Sequence, residues 1–282
     1  HASNPKGLAA KILVTAKRIP DPTQKLKLKD NALDLSGATW QLNQFDEYAV
    51  EAALRLTEDG ANQAVRQGQV TVASLGPADV ATQLRSALAM GADKAIRVDA
   101  KDDDLDASIV AKTIVKLVQR DQPDLVLMGK LAADNEGNDV GQRVAGILGW
   151  PQATFACSIQ VVDGGKAVIV GREVDAGVEL KKVQLPAVVT VDLRIVSPHA
   201  VKNARTKPEF AYADGPRYSS LKGIRAANSK PFEQLTLAQL GVSATPKTKV
   251  LKVETPPARQ AGKKVGSVAE LVEKLQKEAK VI

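Results

Sequence analysis

The sequence predicts an α/β fold: a doubly wound, mostly parallel sheet with antiparallel edge strands, followed by a C-terminal arm and helix. Two observations carry this. Along the first 150 residues, strand-like apolar runs alternate with amphipathic helical segments, the pattern of a parallel sheet covered by helices on both faces. From residue 155 the helical periodicity stops and strand-like stretches follow one another, with Asp163-Gly164-Gly165 as a turn.

Taken in order, KILVTA (11–16) reads as a buried strand. Asn43 then precedes a helical pattern that places Phe45, Val50, Ala53, Leu54 and Leu56 on or near one side. Asn43 suits an N-cap, Asp46 and Glu47 suit the positive first turn, and Gly60 is expected to close the helix. VTVASL (70–75) is the second strand, broken by Gly76-Pro77. A helix over 79–90 turns Val80, Leu84, Ala87 and Leu88 inward and stops at Gly91. A short strand at 95–98 follows, then a helix over 106–120 carried by Ile109, Val110, Ile114, Leu117 and Val118. Pro123 resets the chain into LVLM (125–128), and a glycine-punctuated loop leads to a helix ending near Leu148-Gly149.

The stretches 155–162, 167–172, 180–183 and 187–193 read as antiparallel strands extending the sheet edge. From Ser197 onward the chain is rich in Pro, Lys and Asn with little periodicity, so it reads as irregular arm. Near the end, Ser267 and Glu270 have capping-box spacing, and Val268, Leu271, Val272, Leu275 and Ala279 line one helical stripe. A lone short helix on a Pro256-Pro257 tether is marginal in water, so it is expected to pack on this domain or on a partner.

Composition narrows the function classes. The chain has 282 residues, 44% hydrophobic, 25% charged and 3% aromatic, so the core is built from Val, Leu, Ile and Ala. No apolar run approaches the roughly 20 residues of a bilayer span. The single cysteine, Cys157, excludes an intrachain disulfide, fits a reducing compartment, and reads as a small strand hydrophobe. The opening HASNPKGLAA lacks the charged start and apolar run of a secretory leader. The net charge of +7 is spread rather than run together. That argues against nucleic acid and leaves either a basic face for an acidic protein partner or an ordinary solvated surface.

The best site candidate is the loop from Gly129 to Gly141, between a buried strand and a helix. In open α/β sheets ligands bind outside the carboxyl ends of the strands, and a helix start there offers N–H groups to a phosphate. The acids Asp134, Glu136 and Asp139, and the lack of a following Gly-Lys-Ser/Thr, exclude a P-loop. A capped helix start and a phosphate site both remain open. Thr15-Ala16-Lys17, Leu75-Gly76 and the Asn43 helix start would face the same crevice. Catalytic constellations are thin. His1 and His199 fall in irregular segments, and no metal-ligand spacing, nucleophile elbow or Cys/His pair appears. A binding or carrier role is therefore expected, with no catalytic residue and no metal.

The sequence resembles the beta subunit of electron transfer flavoproteins over more than 200 residues. The likeness is carried by KILVTAKR (11–18) with Asp21, by NQFDEYAVEAALR (43–55), and by ALAMGAD (87–93). VGREVD (170–175) through LPAVVTV (185–191), and PRYSSL (216–221), are its most specific parts. The resemblance implies an adenine nucleotide alpha hydrolase-like fold. It also implies a heterodimer with an alpha subunit that holds most of an FAD, a structural AMP in the beta subunit, and no enzyme activity of its own. Electrons would come from acyl-CoA and related dehydrogenases and leave to a quinone oxidoreductase, in a bacterial cytoplasm or a mitochondrial matrix.

Carried over by position, the AMP site comprises Thr15, Asn43, Gln44, Phe45, Asp46, Leu75, Gly129, Lys130, Asp134, Asn138, Asp139 and Val140. A dehydrogenase recognition loop begins at Arg217 and includes Tyr218, Leu221 as apolar anchor, and Ile224. Arg172 and Glu173 would lie beside the moving flavin domain. The implied organisation is a nucleotide-binding domain (1–196), an insertion and recognition loop (197–230) and an arm wrapping the alpha subunit (231–282).

Four departures stand out. Pro22 replaces a common aromatic, and Asp139-Val140 places a carboxylate where a phosphate is expected. No lysine run follows Leu221, and residues 199–215 are inserted. Two other readings are a bifurcating relative with a second FAD in place of AMP, and a stand-alone adenine-nucleotide-binding protein. An adenylating enzyme would need Ser-Gly-Gly after the first strand, where this chain has Lys17-Arg18-Ile19-Pro20.

Overall fold

A computed structural model describes residues 10–258 and 261–282; the opening segment, read as lacking the features of a secretory leader, and His1 lie outside these residues. The main sheet has ten strands: β1 (Lys11–Thr15), β2 (Gln69–Gly76), β3 (Lys94–Asp99), β4 (Leu125–Gly129), β5 (Gln152–Val162), β6 (Ala167–Val174), β7 (Gly177–Gln184), β8 (Ala187–Val191), β9 (Val201–Lys202) and β10 (Phe232–Thr236). Their order is β7-β6-β5-β8-β4-β1-β2-β3-β10, with β9 beside the second half of β5. All neighbours pair in parallel except β6, which is antiparallel to both β5 and β7.

The helices are α1 (Gln44–Thr57), α2 (Ala81–Met90), α3 (Ala107–Asp121), α4 (Val140–Leu148), α5 (Leu221–Ala227) and α6 (Val268–Lys274). Residues on successive positions of a strand face opposite sides, so β1 feeds two cores. Ile12 and Val14 join Ala49, Val50, Leu54, Leu84 and Leu88 of α1 and α2. Leu13 joins Ile109, Ile114, Leu117 and Val144 of α3 and α4. Each such side chain contributes about 1.5–3 kcal/mol when fully buried. Asp106 caps α3 by accepting from the Ile109 N–H at 2.8 Å, and Gln122 ends the helix in a left-handed conformation.

Three expectations are corrected. Residues 187–191 do not extend the edge: β8 is a central parallel strand between β4 and β5, and all five of its residues are buried. An uninterrupted apolar run is what a strand covered on both faces requires. The first helix ends at Thr57, not Gly60, because Glu58–Asp59 turns into a short hairpin with Asn62–Arg66.

The chain after Ser197 is also more than an arm. Asn203 Nδ2 donates to the carbonyls of Arg55 (2.5 Å) and Glu58 (2.9 Å), and Arg205 donates to that of Thr57 (3.0 Å). These bonds satisfy the open C-terminal carbonyls of α1. Farther on, β10 adds to the sheet beside β3. One compact unit accordingly runs through residues 10–27 and Asp34–Lys249, past the expected limit at 196. A second comprises Leu28–Leu33 and Val250–Ile282. In that second unit Ser267 Oγ accepts from the Glu270 N–H at 3.2 Å, while Val268, Leu271 and Val272 are exposed. No helix among the described residues is long and apolar enough to cross a membrane.

Candidate functional site

The strand order locates a crevice. From β1 the chain moves to β2 and β3 on one side, then returns to β4 on the other. The switch point therefore lies over the carboxyl ends of β1 and β4, where open α/β sheets bind ligands.

Asp46, in the first turn of α1, joins the two strand ends. Its carboxylate accepts from Thr15 Oγ1 (3.0 Å) and the Lys17 N–H (2.9 Å) after β1, and from the Gly129 N–H (2.9 Å) at the end of β4. A fourth contact comes from Asn43 Nδ2 at 3.3 Å. Burial pushes this carboxyl above its ordinary range, against the opposing pull of those hydrogen bonds. The sequence suggested a first-turn acid complementing the helix dipole, carried over as a nucleotide-site residue; the structure makes Asp46 a buried cross-link. Gly129 is required here, because an added Cβ would stand 2.7 Å from Phe45 Cβ and 2.9 Å from the Asp46 nitrogen.

Asn43 occupies the N-cap position of α1 but does not cap it. Its amide reaches across the crevice floor instead, donating to the Leu131 carbonyl (2.9 Å) and accepting from the Ala133 N–H (3.2 Å). The loop after β4 is thereby pinned to α1. Lys17 adds a second tie, its ammonium on Asp134 at 2.7 Å. Lys130 pairs with the buried Asp192 after β8, and its ammonium lies 5.3 Å from the Phe45 ring and 5.4 Å from the Phe155 ring.

The start of α4 bears on what this loop can hold. Asp139 stands at its N-cap position, yet no side chain caps the helix. The Asp139 carboxylate pairs with Arg143 at 2.6 Å, which offsets its charge. The first-turn N–H groups and the positive dipole end are thus left to an anion. Gln142 Oε1, in the same turn, is buried with no hydrogen-bond partner. An adenylate fits this donor set: its phosphate needs main-chain N–H groups, and an unpaired buried acceptor suits an amine or hydroxyl.

The expected site residues divide. Thr15, Asn43, Phe45, Asp46, Gly129, Lys130 and, through Lys17, Asp134 converge. Gln44 instead donates to Tyr48 at 3.3 Å on the exposed side of α1. Leu75 sits at the end of β2, Asn138 is exposed, and Val140 packs on the α3–α4 core. Composition hid Arg18, whose guanidinium lies 3.7 Å over Trp40 and forks to Asp79 (2.5 Å) and Asp102 (2.6 Å) beside the crevice.

On the partner side, Tyr218, Leu221 and Ile224 are 99%, 78% and 50% exposed. Arg217 is not on that surface: its guanidinium points inward to Glu51 and Glu58. Arg172 donates to the Thr154 carbonyl at 2.9 Å and pairs with Glu179, while Glu173 lies 2.8 Å from the exposed Arg194, in ion-pair range but without a hydrogen bond. Among the described residues no group of three or more His, Cys, Asp or Glu converges as for a metal.

The electron transfer flavoprotein domain matches residues 31–240. The chain belongs to the electron transfer flavoprotein family. It is 40% identical over 274 residues to an electron transfer flavoprotein subunit beta of Bradyrhizobium diazoefficiens, covering 96% of this chain and 100% of that one. It is 38% identical over 274 residues to a mitochondrial subunit beta of Arabidopsis thaliana, with the same coverage. With the human subunit beta it shares 39% over 271 residues, 94% of this chain and 96% of that one. Electron transfer flavoprotein subunits are electron carriers rather than enzymes, and this chain is of the beta-subunit type.

Proposed function

We propose that this chain pairs with an alpha subunit that holds most of an FAD, and that it binds a structural AMP in the crevice over β1 and β4. Electrons arrive from acyl-CoA and related dehydrogenases and leave to a quinone oxidoreductase, in a bacterial cytoplasm or a mitochondrial matrix. The observation that carries the nucleotide part is the Asp46–Asn43 cross-link beside an uncapped α4. It makes a fixed floor beside the free first-turn N–H groups of α4, with the nearby acid, Asp139, already paired. Thr15, Asn43, Phe45, Asp46, Gly129 and Lys130 would shape the site, and the α4 N-terminus would take the phosphate.

Two exposed apolar surfaces support assembly. Val250, Leu251, Val268, Leu271 and Val272 lie uncovered in the terminal segment, which supports an arm that wraps the alpha subunit, beginning near Val250 rather than at 231. Tyr218, Leu221 and Ile224 form the dehydrogenase-facing stripe, with Leu221 as anchor. Arg172 and Glu173 would face the flavin-bearing domain, with Glu173 in ion-pair range of Arg194. Co-expression with an alpha subunit tests the reading. A yellow heterodimer with a flavin visible spectrum is expected, and a colourless, solitary chain beside its alpha subunit would end it.

A further inference from the structure

Beneath the exposed stripe lies a buried ionic cluster that nucleotide binding does not use. Arg217 reaches Glu51 through Nε (2.7 Å) and Nη2 (3.1 Å), and Glu58 through Nη1 (2.9 Å) and Nη2 (2.6 Å). Its own backbone N–H also donates to Glu51, at 3.2 Å. Arg55 completes the set through Nε to Glu51 at 2.7 Å. Glu51 is 2% exposed and Glu58 fully buried. The two arginines and two glutamates sum to zero charge.

The cluster stands where the chain changes character. Arg217 is anchored by five hydrogen bonds, yet the next residue, Tyr218, is 99% exposed. Leu221 and Ile224 then share one face of α5, and all three side chains are exposed. The far side of α5 is fixed as tightly. A Cβ on Gly223 would stand 2.4 Å from the Ala89 carbonyl oxygen, so α5 lies backbone against backbone on α2. Ser220 Oγ accepts from the Gly223 N–H at 3.0 Å, and Ala227 is buried.

Stability alone does not call for such a cluster, because well-packed apolar residues commonly replace buried ion pairs without loss. A planar guanidinium gripping two carboxylates fixes direction as well as distance. We infer that Arg217 is a positioning residue: its grip on Glu51 and Glu58, with the Gly223–Ala89 contact, holds Tyr218, Leu221 and Ile224 in one preformed geometry for an apolar pocket on a dehydrogenase. This rests on the docking reading proposed above and deepens it. A stripe ordered before encounter loses less freedom on binding than a mobile loop does.

The test uses the heterodimer with its alpha subunit. Arg217→Lys keeps the charge but cannot span both carboxylates, and Gly223→Ala acts at the other end by lifting α5 from α2. Hydrogen exchange is read at amides 218–227, with amides 44–49 as internal control. KM and kcat are measured with the heterodimer as acceptor for purified acyl-CoA dehydrogenase and its acyl-CoA. Both variants are expected to exchange faster at 218–227 alone, and to raise KM roughly tenfold with kcat unchanged. Leu221→Ala is expected to raise KM without altering exchange. Unchanged exchange in Arg217→Lys overturns the inference. So does faster exchange with an unchanged KM when Leu221→Ala does raise KM. An unchanged KM in Leu221→Ala instead removes the docking reading, and the inference with it.

Discussion

Replacing Asp46 with alanine cuts the join between the two halves of the crevice. The carboxylate accepts the main-chain N–H groups of Lys17 and Gly129, both at 2.9 Å, and Asp46 is only 4% exposed. Both bonds are partly buried, so water replaces them only in part. A buried donor left unpaired costs about 1–3 kcal/mol, so two set the loss at about 2–6 kcal/mol. Burial disfavours the ionised Asp46, and removing it returns part of that cost, which places the net near 3 kcal/mol. A domain holds about 5–15 kcal/mol in all, so the variant should fold but unfold at lower urea with an unchanged m-value. Asp46→Asn keeps one acceptor oxygen and should fall in between, at about 1–3 kcal/mol. Urea unfolding at pH 7 within about 0.5 kcal/mol of the parent for Asp46→Ala would refute the cross-link, since that is the usual range of a surface change.

Asn43→Ala frees the loop after β4 from α1 by removing the bonds to Leu131 and Ala133; AMP affinity measured by calorimetry should drop about tenfold, or about 1.4 kcal/mol. Gly141→Ala places a Cβ 2.6 Å from Thr190 Cγ2 and should cost about 1–3 kcal/mol in urea unfolding by overpacking α4 against β8. Glu51 gives a pH signature. Burial pushes its carboxyl up, but Arg217 and Arg55 outweigh it and hold it below the ordinary 4.5. A depressed folded-state value means stability present above pH 4.5 and lost as pH falls through that lower value. Glu51→Gln should therefore be less stable at pH 7 and show a flatter acid limb below pH 4.5, read from denaturation midpoints across pH.

The parallel half of the fold was legible because its signals are local. KILVTA, VTVASL and LVLM are apolar runs bounded by breakers, and α3 announces itself through Asp106 and its apolar stripe. What escaped depends on partners distant in sequence. Residues 187–191 gave an apolar run but no clue to which strands would flank it. β10 has no apolar run at all, because an edge strand buries little, and only its pairing with β3 reveals it. The segment 199–215 read only as an insert. Its role appears only once Arg55, a charged residue 1% exposed, is seen donating to the carbonyls of Val196, Ala213 and Gly215.

The same holds at the site. Gly129, Asn43 and Asp46 were singled out by position after a strand or before a helix, and they do converge. Their chemistry differed from local expectation, since Asn43 spends its amide on a loop 88 residues away rather than on its own helix. Arg217 was placed on the docking surface by its neighbours Tyr218 and Leu221. Nothing nearby in sequence shows that Glu51 on α1 and Glu58 just past its end wait to receive it.

That the floor over β1 and β4 grips an adenylate is tested most directly by denaturing the purified heterodimer and identifying the released nucleotides by mass spectrometry. One AMP and one FAD per heterodimer are predicted, with AMP depleted and FAD retained in Asn43→Ala. Release of FAD alone, or of two FAD and no AMP, would contradict it.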